Sequence, residues 1–341
     1  LISSGVSCRS GTRTVPGTDG NLDAAACALI TRSGNGTGGQ IKLEAAGSIN
    51  TAQINAFSFS STCGQITLIA NYTITTSGNI ATNKNSIIFN GAVNLADNVV
   101  FKTSDLGNIT FNNTVDGTQN LILKTGIGTV QFNNIVGGST PLNNLQVQGN
   151  IAPNPNGINI TTVNNIIAGN ITSPTGITLN SGRNINTGIL NSSALGNGGN
   201  VNLNAPGNII VNQINAQSLD SGTGGNVNVT TGNFFQATNT FIDQNNRNSS
   251  ISTAGKVGGG NIILTHGGNG VTPFIVGDVS TNGTAGAITR GNTAPIQTIS
   301  PTQEYFPTHK QDADRIQILS VPGNLQLPPD PNPLPAVIPN S

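Results

Sequence analysis

Gly199-Asn-Val-Asn-Leu-Asn-Ala-Pro-Gly-Asn-Ile-Ile-Val-Asn-Gln-Ile-Asn-Ala216 is the stretch that decides the fold. It holds two units of Gly, Asn and an aliphatic residue, at Gly199 and Gly207, and apolar and polar residues alternate after the first of them. Alternation with period two marks a strand with one buried face, and the short interval leaves room for one strand and one tight turn. The pattern predicts that Val201, Leu203, Ile209 and Val211 point inward, while Asn200, Asn202 and Asn208 point outward or stand at corners.

The same unit recurs along the chain. It reads Gly39-Gln-Ile-Lys-Leu43, Gly64-Gln-Ile-Thr-Leu68, Gly107-Asn-Ile-Thr-Phe111, Gly225-Asn-Val-Asn-Val229 and Gly260-Asn-Ile-Ile-Leu264, among others. Near-identical short strands with Gly-containing corners predict successive passes of chain stacked in register, with a hairpin-built sandwich as the competing architecture. Glycine is expected to supply a positive φ at the corners, and stacked asparagines to form amide ladders. The expected fold class is all-β, a parallel β-helix or β-solenoid. Its body spans residues 31–295, between an irregular N-terminal cap or contact segment, 1–30, and a non-repetitive, proline-rich extended tail, 296–341. The stretch from Phe234 to Ser252 interrupts the repeat and is read as an extruded loop or an irregular pass.

Composition narrows the function. Only 8% of the 341 residues are charged, against about a quarter in ordinary globular proteins. Thirteen basic and thirteen acidic residues cancel, which leaves no electrostatic footprint for nucleic acid or an anionic membrane. Between Lys124 and Arg183 there is no charged residue at all. Asparagine makes up about 15% of the chain, so amides and hydroxyls supply its polarity. The 35% hydrophobic share, mostly aliphatic and in short β-branched runs, is enough to line a long narrow core and argues against disorder. No apolar run approaches the roughly 20 residues of a membrane span.

The three cysteines, Cys8, Cys27 and Cys63, lie in the first fifth of the chain. In an oxidising compartment Cys8 and Cys27 can close a loop and leave Cys63 odd; three buried free thiols is the alternative reading. Their spacing does not suit a metal site. The opening Leu1-Ile-Ser-Ser-Gly has neither a basic nor an apolar leader region and no initiator Met, as expected of a processed chain or a fragment.

The sequence offers little to a catalyst. Asp97, Asp105 and Asp116 are the densest acidic group of the body, and Asp220, Asp243 and Asp278 stand apart, which suits solvated corners better than the paired carboxylates of a glycosidase. His266 and His309 have no acid or cysteine partner in sequence and are read as structural. Gly258-Gly-Gly-Asn261 lacks the Lys-Ser/Thr and the helix of a phosphate loop. No catalytic, cofactor-binding or metal-binding residue is assigned, and a polysaccharide-active β-helix enzyme is the least favoured reading.

Gly199–Ala216 and the run from Asn108-Ile-Thr-Phe-Asn-Asn-Thr-Val through Val136-Gly-Gly-Ser-Thr-Pro-Leu-Asn-Asn-Leu145 resemble the repeats of filamentous haemagglutinin-type proteins. These are the large exoproteins of two-partner secretion, including their cyanobacterial relatives. Asn154-Pro-Asn-Gly-Ile158 is identical to a short motif of that family's secretion domain, although its companion motif upstream is missing and the chain is far shorter than those exoproteins. The resemblance implies a right-handed parallel β-helix, export, and a role in adhesion or aggregation. The expected function is therefore an extracellular structural subunit that assembles with itself, head to tail, into a surface fibre or matrix. Tyr305, Phe306, Leu325, Leu327, Pro328 and Pro329 are the expected assembly contacts. The alternative is an adhesin fragment that binds surface glycans through exposed loops.

Overall fold

The computed structural model describes residues 20–24, 29–33, 40–58, 64–291 and 295–323. Cys8, Cys27, Cys63, Leu325, Leu327, Pro328 and Pro329 lie outside the described residues. The described chain is almost entirely β-structure, and most strand pairs are parallel; one short 3-10 turn, Pro295–Gln297, is its only helical element. It divides into two units, one ending at Ala152 and one starting at Pro153, within the stretch expected to form a single body. Pro153 and Pro155 explain a break there, because neither has an N–H to donate to a ladder.

In the first unit the chain feeds three parallel ladders in turn. One brings Ile41, Ile66, Ile87, Ile109, Val130 and Ile151 into a single column. A second aligns Leu22, Ile49, Ile74, Val93 and Val115, and a third aligns Ile54, Ile80, Phe101, Leu123 and Val147. Alternation decides which side chains enter: Ile87–Leu95 buries every second residue and leaves the residues between at least partly exposed. Where the column holds phenylalanine the rings stack. Phe89 and Phe111 lie 4.8 Å apart with nearly parallel planes, and Phe132 continues the pile 5.2 Å from Phe111.

The second unit repeats the arrangement. One ladder runs through Ile158–Thr162, Gly176–Ser181, Asn200–Ala205, Val227–Thr231, Ile262–His266 and Ile316–Ser320. A second contains Ile166–Ala168, Ile185–Thr187, Ile209–Val211 and Phe235–Ala237; a third contains Ile171–Thr172, Ile189–Asn191, Gln213–Asn215, Asn248–Ser252 and Ala287–Thr289. Val201, Leu203, Ile209 and Val211 are all buried, as their alternation predicts. The irregular stretch is smaller than expected. Phe235 and Ile251 are core residues of two ladders, and the departure is confined to the residues between them, where Phe241–Ile242 folds back antiparallel on Asn248–Ser252. The ladder also continues past residue 295, because Ile316-Gln-Ile-Leu-Ser320 restores the alternation and pairs with Ile262–His266.

The corners meet the expectation in part: Gly126, Gly149, Gly157 and Gly176 have the expected positive φ, whereas other corners differ in two respects. Gly107, Gly199, Gly225 and Gly260 are not in the left-handed region; at each a backbone carbonyl of the preceding pass occupies the place of a Cβ. For Gly225 it is the carbonyl of Gly199, and for Gly260 that of Gly225. Glycine is needed there for close approach of two backbones, not for φ. The asparagine after it also serves the backbone more than its fellow amides. Asn200 Oδ1 accepts the N–H of Asn226, and Asn226 Oδ1 accepts that of Asn261, each at 2.8 Å. Asn184 to Asn208 and Asn108 to Thr129 repeat the bond. Amide-to-amide links do occur, from Asn90 through Asn112 to Asn133 and between Asn202 and Asn228.

Phe111→Ala should lower stability by about 3–5 kcal/mol, because it opens a cavity between two stacked rings. Gly225→Ala should cost about 1–3 kcal/mol by forcing two backbones apart. Urea unfolding followed by circular dichroism reads both.

Candidate functional site

Buried ionisable groups concentrate near the C-terminal end of the second unit, where its three ladders stop. Each stops on a short antiparallel strand. Thr298–Ile299 pairs with Ala287–Thr289; Gln303–Tyr305 pairs with Phe274–Val276, which Gly283–Thr284 joins to the second ladder at Phe235–Ala237; and His309–Gln311 pairs with Ile316–Ser320. Three consecutive reversals thus cover three parallel ladders. Glu304 and Lys310 lie on the covering strands and are exposed, as are Pro301 and Pro307 between them. Short strands, charges and prolines are the devices that keep a sheet edge from recruiting another strand.

Arg290 and Asp312 hold this cap. Their side chains are 4% and 6% exposed and form an ion pair through Arg290 Nη1 and Asp312 Oδ2. The other guanidinium nitrogens reach backbone carbonyls: Nε that of Gly260 at 3.3 Å, and Nη2 that of Gly259. Arg315 Nη2 binds the second carboxylate oxygen of Asp312 at 2.9 Å. Asp312, Ala313 and Asp314 all have φ between 52° and 63°. A left-handed turn of three non-glycine residues costs about 1–2 kcal/mol per residue, so it needs strong partners to persist. The two arginines on Asp312 and the Lys310–Asp314 pair at 2.9 Å supply them. Sequence reasoning missed this network, since Arg290 and Asp312 share no motif; its trace is Lys310-Gln-Asp-Ala-Asp-Arg315, a charge cluster in a charge-poor chain.

His266 is fully buried at the end of its strand, with its ring 5.6 Å from Phe274. Its Nδ1 faces two N–H donors, the Asn282 amide at 2.9 Å and the Gly268 backbone at 3.2 Å, so Nδ1 accepts and the proton sits on Nε2. Nε2 is buried and has no hydrogen-bond partner among the described residues. Burial lowers the His266 pKa from 6.5 to about 4. Asn282 extends the contact: its amide nitrogen also donates to the Pro273 carbonyl at 3.1 Å, and its oxygen accepts the Phe235 N–H at 3.2 Å. The cluster fastens the excursion between Ile262–His266 and Ala287–Thr289 to the core.

The other singled-out residues take structural places. Asp243, expected at a solvated corner, is buried. Its carboxylate accepts the N–H groups of Asn245 and Arg247 and the hydroxyls of Ser249 and Ser252, closing the turn that the antiparallel excursion needs. Asp97, Asp105, Asp220 and Asp278 are exposed, and Asp116 is half-buried. Tyr305 stacks on His309 at 4.1 Å within the cap; burial pushes its phenol pKa up, and Phe306 beside it is exposed. In Asn154-Pro-Asn-Gly-Ile158 the Asn154 side chain accepts the Asn156 N–H, and its carbonyl accepts the Gly157 N–H and the hydroxyls of Ser173 and Thr175. Gly157 has φ +88°, so the motif builds the turn that leads into the first ladder strand of its unit. Among the described residues no cluster of three His, Cys, Asp or Glu is placed to hold a metal ion, and no helix is long and apolar enough to cross a membrane.

Asp312→Asn should destabilise the second unit by about 3–5 kcal/mol, because it strips a buried arginine of its counter-charge; differential scanning calorimetry measures the loss. The lowered pKa of His266 sets a pH dependence of definite sign. The unfolded chain takes up the proton first, so this contribution is complete above about pH 6.5 and is lost as pH falls toward 4, by roughly 3 kcal/mol in all. Melting curves across that range should show the loss, and His266→Gln should flatten it. The chain matches no protein-family model, no curated protein and no solved structure.

Proposed function

We propose that each unit is a right-handed parallel β-solenoid and that the protein is an extracellular, non-enzymatic structural element of a surface fibre or matrix, similar in kind to the filamentous haemagglutinin-type exoproteins. The observation that carries this reading is the in-register ladder itself. Passes repeat the same glycine contact and the same asparagine bond to the next backbone, from Asn200 to Asn226 to Asn261, and such a stack yields a rigid body without a cleft-forming second layer. The use of ionisable side chains supports it. Arg290, Asp312, Asp243 and His266 are all buried, and each is spent on fastening backbone or cap. A hydrolase or lyase would keep such groups open to a substrate.

The antiparallel cap bears on how such a subunit assembles. Growth by adding a parallel strand beyond His309–Gln311 or Gln303–Tyr305 would have to displace charged and proline-flanked edges, so head-to-tail stacking is disfavoured through this end. The adhesin reading keeps one observation in its favour. The excursion between Phe235 and Ile251 leaves Ile242, 64% exposed, at its outer strand, where a binding loop would carry an apolar anchor.

Antibody labelling of intact source cells tests the location. Labelling of unbroken cells or of shed fibres is expected, and signal that appears only after lysis would overturn the extracellular assignment. Solution scattering from the isolated second unit tests the fold: a rod-like cross-section is expected, and a globular profile would sink the solenoid.

A further inference from the structure

His266 is held in a way that leaves no place for a second proton. Its Nδ1 already receives two N–H groups, from the Asn282 amide and the Gly268 backbone, and its Nε2 has no acceptor among the described residues. A proton on Nδ1 would point at both donors, so both bonds would break and the imidazolium would stay buried with neither N–H accepted. Gly268 also closes over this edge of the ring: a Cβ there would meet Cε1 at 2.8 Å and Nδ1 at 2.9 Å. No charge compensates. The ladder neighbours of its strand, Val227–Thr231 and Ile316–Ser320, carry none, and neither do Phe274–Val276 and Phe235–Ala237. Asp278 and Glu304 are exposed, Tyr305 and His309 stack on each other, and Lys310 and Arg315 turn to Asp314 and Asp312. Among the described residues none of these is hydrogen-bonded or ion-paired to His266.

Both donors belong to one segment, residues 267–286, which leaves the first ladder after His266 and returns to the third at Ala287–Thr289. Between those ends it is fastened to the second ladder. Asn282 Oδ1 accepts the Phe235 N–H, the Val279 carbonyl accepts Gln236 Nε2 at 2.7 Å, and Gly283–Thr284 pairs with Gln236 and Ala237. The strand Ile262–His266 takes its own pairing from Val227–Thr231 and Ile316–Ser320, not from this segment. Local opening of the segment is therefore a less costly way to bring the His266 ring to water than unfolding of the ladders.

We propose that residues 267–286 form an acid-released strap: protonation of His266 detaches the strap from the second ladder while the parallel ladders stay folded. Detachment uncovers the edge of Phe235–Ala237 that Gly283–Thr284 covers. It also unfastens Gln303–Tyr305, the cap strand whose partner is Phe274–Val276 on the strap. Acid thus opens one of the three ladder ends that the cap closes at neutral pH, and the charge change at a single buried ring biases the two states. Burial holds the His266 pKa at about 4 with the strap closed, against 6.5 for an open histidine, so the open population rises about 70-fold between pH 7.5 and 4.5. The loss of stability in acid falls on one segment in this scheme. The inference rests on the geometry around His266 and stands apart from the location and the solenoid assignment of the previous subsection.

Hydrogen exchange of the full chain, read by mass spectrometry as protection factors that remove the intrinsic pH dependence of exchange, tests the strap. Between pH 7.5 and 4.5 protection should fall by about 70-fold over residues 267–286 and at Phe235–Ala237, and by less than twofold over Val227–Thr231 and Ile185–Thr187. A fall shared equally by the ladders would mean global unfolding and would overturn the strap, as would protection of the strap that acid leaves unchanged. His266→Gln keeps an acceptor for Asn282 without a titrating group and should abolish the difference between the two pH values; a difference that survives the substitution assigns the release to another group and defeats the proposal. The wild-type chain supplies a check that needs no variant. In an NMR titration of ring-labelled histidine, the His266 signal should shift with the same midpoint as the loss of strap protection, whereas a ring that takes up its proton while the strap stays protected would overturn the coupling.

Discussion

Neighbouring passes of this chain lie one strand spacing apart, about 4.8 Å, along each continuous ladder, and most of the structure follows from that distance. At this spacing a carbonyl of one pass fills the volume that a Cβ would need on the next, as at Gly199, Gly225 and Gly260. Glycine there is a requirement of packing. The asparagine that follows it answers the complementary need, for at the start of a strand the N–H of the next pass finds its acceptor in a side-chain oxygen. Each such bond adds on the order of 1 kcal/mol, and repetition makes the sum large.

The same spacing accounts for the scarcity of charge. In an in-register parallel stack a charged residue faces its counterpart on the next pass, and like charges directly opposite are destabilising. Asparagine and threonine stack without that penalty, because each can donate to one neighbour and accept from the other. Phenylalanine gains from stacking, as the pile from Phe89 to Phe132 demonstrates. Charge returns where repetition ends. Arg290, Lys310, Asp312, Asp314 and Arg315 gather at the cap, where a ladder must be closed and a left-handed turn must be held.

The parts that could be read from the sequence are those governed by local periodicity. Val201 and Leu203 announce their burial by alternation, and Gly-Asn pairs announce several of the passes, at Gly107, Gly199, Gly225 and Gly260 among them. Phe235 is buried despite lying in a stretch whose pattern fails, because its partner Ile209 on the previous pass dictates its place. Asp243 gives no local sign of burial, since its partners Ser249 and Ser252 come alongside only when Phe241–Ile242 folds back. His266 looks like an ordinary outlier at a strand end until the excursion returns Asn282 to its ring.

Short strands, parallel stacking, a narrow aliphatic core and amide-rich corners follow from residues adjacent in the chain, because period-two alternation and the Gly-Asn unit act locally. Where the stacking stops, and what the remaining charges do, depends on long-range packing. The reversal at residues 298–311 and the Arg290–Asp312 pair join positions that are distant along the chain. No local pattern encodes such pairings, because their energy comes from burial and partners that exist only once successive passes lie against one another.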